Sequence, residues 1–140
     1  MMTVTTIARP RGHPGYSETL PCVVESAEIA RQLVRTVLSA WGLDDLVPDG
    51  TLIVTELVAN AAQHTRGPLI RVTVDRPSSA IVRIGVVDRS HTLPQLRQPD
   101  SDDERGRGLA LVDSLTERWG TDRLPLGKRV WGVLTCEVAQ

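Results

Sequence analysis

The 140-residue chain contains no phenylalanine, one tyrosine and three tryptophans, so aromatic residues make up only 3% of it. Without Phe, the tryptophans Trp41, Trp119 and Trp131 carry most of the aromatic area available to anchor a core or a subunit surface. Cysteine is scarce as well. Cys22 and Cys136 each sit in an apolar run with no Cys or His nearby, which argues against a zinc site or a thiol-disulfide motif and leaves buried reduced thiols. No apolar run approaches the roughly 18 residues that span a bilayer, and the start "MMTVTTIARPRGHPG" lacks the apolar middle of a secretory signal. A cytoplasmic location without membrane attachment is the expectation. Charge of one sign is missing too: 16 Lys and Arg against 17 Asp and Glu leave a net charge of -1, and no dense basic block offers a direct nucleic-acid or anionic-membrane footprint. Phosphate, if bound, has to be held mainly by backbone and metal.

What is present suits one globular domain, with 41% hydrophobic residues in a length that can bury a sizeable core. Residues 1–16, rich in Pro, Gly and Arg, read as a loose N-terminal arm, and 17–140 as the domain. "TLPCVVES" reads as a first strand. Ser26 is then placed to cap a helix ending near Gly42, in which Ile29, Leu33, Val34, Val37, Leu38 and Trp41 share one face. A second helix spans about Pro48 to His64 and is stopped by Gly67-Pro68. "PLIRVTVDR" and "SAIVRIGVVDR" form a hairpin turning at Pro77-Ser78-Ser79, followed by a long loop, a third helix after "RGRG", and a closing hairpin through "PLG". The order lacks the regular βαβα alternation of a doubly wound fold. It predicts an α+β, two-layer sandwich, with a mixed, mostly antiparallel sheet and helices on one face.

The second helix carries "TELVANAAQH", in which Glu56, Asn60 and His64 recur every fourth residue. At about 100° per residue, Ile53, Val54, Leu57, Val58, Ala61 and Ala62 cover one face, and the polar stripe flanks it at the seam between core and solvent. A solvated flank explains Glu56 and His64, but not Asn60, a poor helix former in mid-helix. An Asn carbonyl oxygen suits Mg2+, which takes few protein ligands, and a carboxylate one turn away can accept a proton from an attacking hydroxyl. His64 is equally well explained as a helix C-terminal residue near the last carbonyls. Asp88, in "VVDRS" at the end of an apolar strand, can start a turn or accept a hydrogen bond from an exocyclic amine such as that of adenine. In "GRGLALV", Gly106 and Gly108 let the backbone approach an anion at a helix start, although a lone G-x-G is a weak signal.

In this order, "ELVANAAQH", "VVDRS" and "GRGLALV" resemble the N, G1 and G2 boxes of the GHKL ATPase superfamily. With "ARQLVRTVLSAWGL", "GRGLALVDSLTERWG" and "GKRVW" the likeness covers nearly the whole chain. More narrowly, the sequence is similar to the short single-domain anti-sigma-factor serine/threonine kinases of actinobacteria. The resemblance implies the Bergerat, histidine kinase-like ATPase fold, with ATP and Mg2+ between the helices and a lid at 91–105. It implies Glu56 as general base, Asn60 as Mg2+ ligand, Asp88 as the adenine contact, Gly106 and Gly108 as phosphate-loop glycines, and Ser90, Arg107 and Leu109 as further nucleotide contacts. The implied partners are an anti-anti-sigma (STAS-type) protein, phosphorylated on serine, and a sigma factor that is sequestered, commonly by a homodimer. Two departures stand out: Ser90 occupies a position where the G1 box commonly has Gly, and Lys128 and Arg129 stand where a closing-strand hydroxyl is common. Intact Glu56 favours a kinase, while the departures leave open a catalytically weak, nucleotide-dependent module that sequesters a sigma factor or other regulator.

Overall fold

The computed structural model describes residues 3–8, 14–65, 67–90 and 104–136, without the side chains of 3–8 and 104–108. Its sheet has six strands: β1 (Thr3–Ala8), β2 (Pro14–Pro21), β3 (Leu69–Ser78), β4 (Ile81–Asp88), β5 (Arg118–Leu124) and β6 (Gly127–Thr135). They lie in the order β1-β2-β3-β4-β6-β5, and every neighbouring pair is antiparallel. The α+β sandwich expectation holds, whereas the described sheet is antiparallel throughout rather than mixed. The reason is local: three pairs are direct hairpins, and between β2 and β3 the chain crosses two helices, which return it to pair in the opposite sense.

Within the stretch expected to be a loose arm, the chain forms a strand. Thr3–Ala8, with its β-branched Thr, Val and Ile, pairs with β2 from Thr3 against Thr19 to Ala8 against Pro14, and β2 itself begins at Pro14. The first strand therefore ends at Pro21, and a single 3-10 turn at Val24–Ser26 leads into the first helix. Ser26 does not cap that helix through its side chain; its hydroxyl donates instead to the Pro21 carbonyl at 2.7 Å.

The helical layer consists of α1 (Ala27–Ala40), α2 (Val47–His64) and α3 (Glu104–Leu115). Helix α1 ends where Gly42 adopts a φ of 73°, a left-handed conformation that side chains disfavour. Helix α2 starts with Pro48 in its first turn, where no N–H is needed. It is the central helix, packed against α1 on one side, α3 on the other and β4 beneath. The expected apolar faces are the buried ones: Leu33, Val34, Val37 and Leu38 on α1, and Ile53, Val54, Leu57, Val58 and Ala61 on α2. They meet Ile70, Val72, Val74, Val82, Ile84, Val86 and Val130 of the sheet in one cluster. Each such aliphatic side chain contributes about 1.5–3 kcal/mol on burial. In β3 the register shifts between Asp75 and Ser78, where Pro77 has no N–H to give the ladder. Among the described residues, no helix is long and apolar enough to cross a membrane.

Candidate functional site

Alternation along the antiparallel strands decides which residues look toward the helices. In β4 the buried set is Val82, Ile84, Val86 and Asp88, and across the ladder these pair with Leu134, Gly132, Val130 and Lys128 of β6. Asp88 and Lys128 thus occupy the last rung of an otherwise aliphatic face. Their side chains are each 1% exposed, and Lys128 Nζ donates to Asp88 Oδ1 at 3.0 Å. The same ammonium reaches the Ser90 carbonyl at 3.4 Å, and the Ser90 N–H donates to Asp88 Oδ1 at 2.8 Å. The turn-starting role of Asp88 is therefore real and is carried by one oxygen. The other, Oδ2, is buried with no hydrogen-bond partner. A buried carboxylate oxygen left unmatched costs about 1–3 kcal/mol.

Close backbone approach holds this rung together. A Cβ on Gly127 would lie 1.8 Å from the Asp88 carbonyl oxygen, so only glycine lets β6 begin beside the end of β4. Ser90, by contrast, does not need glycine's freedom, because no non-glycine residue among those described has a positive φ. The departure at position 90 leaves the backbone of this turn in an ordinary conformation.

Cys22 ties the rung to α2. Its thiol lies 3.6 Å from the Ala61 carbonyl, and burial together with the nearby Asp88 charge pushes its pKa up, partly offset by Lys128. This thiol, expected to be buried, is half-buried and lies near both the Asp88–Lys128 pair and the Ala61 turn of α2. Glu56 and Asn60 are both half-buried at the seam, on the flank of the face that buries Leu57 and Ala61. Burial raises the Glu56 carboxyl above its ordinary value of 4.5. Neither side chain has a hydrogen bond among the described residues. His64 lies in the last turn of α2, where it has a partner.

The glycines of "GRGLALV" fall inside the first turns of α3, which begins at Glu104 rather than after the motif. Gly106 is thereby close to the helix start, where backbone N–H groups lack intrahelical partners. Leu109 is buried on this helix. Of the expected lid, 91–103 lies outside the described residues, while 104 and 105 are the first residues of α3; the Arg107 side chain also lies outside. Arg129, the other departure, points to the opposite sheet face and pairs with Asp122 at 2.6 Å.

Sequence reasoning treated Lys128 only as a missing hydroxyl and Cys22 as a bland thiol. A signal for Lys128 existed: it shares the alternation of Val130, Gly132 and Leu134, so a charge on the core face required a partner.

Three helices on one face of an antiparallel sheet make the chain an α+β, two-layer sandwich. The chain belongs to the histidine kinase-like ATPase domain family, whose model matches residues 20–133. A comparison with curated proteins finds no match.

Proposed function

We propose that this chain is an ATP- and Mg2+-dependent serine/threonine kinase of the anti-sigma-factor type, which phosphorylates a serine of an anti-anti-sigma partner. The observation that carries the reading is the pairing of Glu56 and Asn60 one helical turn apart on α2, half-buried and unbonded among the described residues, in a chain whose Asp88 carboxylate at the end of β4 lacks one partner. Helix-interior Asn and a desolvated Glu are both costly without a ligand-directed role.

Bound ATP with Mg2+ supplies the transferable phosphoryl group and the cation that offsets its charge. Asn60 fits a neutral oxygen ligand to that cation, and Asp88 Oδ2 fits the exocyclic amine of the base. The N–H groups at the start of α3, which lack intrahelical partners, would hold the phosphates. Glu56 takes the proton from the partner's serine hydroxyl, and its raised pKa makes it the better base for that task.

Incubation with labelled ATP, Mg2+ and a cognate anti-anti-sigma protein tests the reading. Transfer to the partner serine that is lost in Glu56→Ala is expected. Transfer that survives the substitution would remove Glu56 from the mechanism, and nucleotide-dependent capture of a sigma factor without any transfer would make the chain a binding module instead.

A further inference from the structure

Buried ion pairs are stable when every donor and acceptor of both partners is satisfied. The Asp88–Lys128 pair is short by one on each side. Asp88 Oδ2 has no partner. The Lys128 ammonium has three N–H groups, and among the described residues its acceptors are two, Asp88 Oδ1 at 3.0 Å and the Ser90 carbonyl at 3.4 Å. Because the ammonium is bonded to one oxygen of the same carboxylate, the unmatched donor and the unmatched acceptor lie side by side. With side chains only 1% exposed, neither is matched by bulk water.

An adjacent donor and acceptor form a reading head for an adjacent acceptor and donor. The edge of adenine offers that pair, an exocyclic amine that donates next to a ring nitrogen, N1, that accepts. We propose that Lys128 is a base-reading residue of this site: its third N–H donates to N1 of adenine while Asp88 Oδ2 accepts from the amine. The closing-strand lysine then replaces a hydroxyl contact with a direct charged one, and it gives a role to a lysine on a face whose other rungs hold Val130 and Leu134. Lys128 also ties the turn to this rung through the Ser90 carbonyl.

The inference rests on the base lying against Asp88 as in the proposed function, and the test separates the two. Binding of ADP, of 1-deaza-ADP, which has a C–H in place of N1, and of purine riboside diphosphate, which keeps N1 but lacks the amine, is measured by calorimetry on the wild-type chain with Mg2+ present. The wild type is expected to bind 1-deaza-ADP about tenfold or more weakly than ADP, the loss typical of one charged hydrogen bond. In Lys128→Met, or in a Lys128→Met/Asp88→Asn variant should the single change unfold the chain, the ratio of the two affinities returns to near one. Equal binding of ADP and 1-deaza-ADP by the wild type, with purine riboside diphosphate still weakened, overturns the Lys128 assignment and leaves Asp88 standing. Failure of ADP itself to bind overturns the reading of the whole site.

Discussion

Lys128 and Asp88 meet on the last rung of the β4–β6 ladder, 3.0 Å apart, at the end of a face otherwise made of Val82, Ile84, Val86, Val130 and Leu134. Removing one member strands the other as a buried charge. Lys128→Met alone and Asp88→Leu alone are each expected to lose about 3–5 kcal/mol, whereas the double change recovers most of that, because an aliphatic pair suits its neighbours. Urea denaturation of the four forms measures the coupling. Additive losses would mean that the pair is solvated and that its isolation from water is wrong.

Glu18 is another buried charge and, unlike Asp75 with Arg83, it has no compensating partner among the described residues. It faces the helices from β2, is 2% exposed, and its Oε1 is unbonded beside a cavity of about 310 Å3 lined by Tyr16, Ile29, Leu33 and Thr36. Burial raises its pKa above the ordinary 4.5. A carboxyl with a raised folded-state pKa holds its proton more tightly folded than unfolded. Stability therefore falls as pH rises from about 4.5 through the raised value, and the penalty is complete above it. Glu18→Met should stabilise the chain by about 1–2 kcal/mol at pH 7.5, with the gain shrinking as the pH approaches 4.5. Unfolding curves at the two pH values check this, and a pH-independent gain would show that the carboxylate is not desolvated.

The layers and the α2 seam were legible because their cause is local. Ile53, Leu57 and Ala61 repeat at helical spacing, so the burial of that face and the position of Glu56 and Asn60 beside it follow from periodicity alone. Strand β1 was not, since Pro, Gly and Arg around it read as a loose arm and only its pairing with β2 makes it a strand. Lys128 was hidden for a similar reason: its partner is 40 residues away, and nothing local in "GKRVW" announces the register that opposes it to Asp88. Ser26 misled because a 3-10 turn precedes α1 and draws its hydroxyl back to Pro21.

Asn60 is placed where a helix gains nothing from it. Asn60→Ala replaces a poor helix former with the best one and removes no hydrogen bond among the described residues, so folding stability should hold or rise by about 0.5 kcal/mol. The Mg2+-dependent part of ATP affinity should fall about tenfold, while binding in EDTA stays at its wild-type level. Calorimetric titration with and without Mg2+ measures both. Identical metal dependence in the two proteins would take the metal ligand away from Asn60.

Glu56 should show the opposite interests of stability and chemistry in one side chain. Burial raises its pKa, so the ionised form is disfavoured in the folded chain, and Glu56→Gln is expected to stabilise the protein at neutral pH while slowing phosphotransfer about 10²–10⁴-fold. The base works only when deprotonated. The acid limb of the wild-type rate profile should accordingly fall through a pKa above 4.5, and that limb should be absent from the residual activity of Glu56→Gln. Single-turnover transfer from labelled ATP to the partner, followed across pH in both proteins alongside their melting temperatures, tests the two effects together. A variant that is more stable yet transfers phosphate at the wild-type rate would leave the carboxylate as a strained feature of α2 with no part in proton transfer.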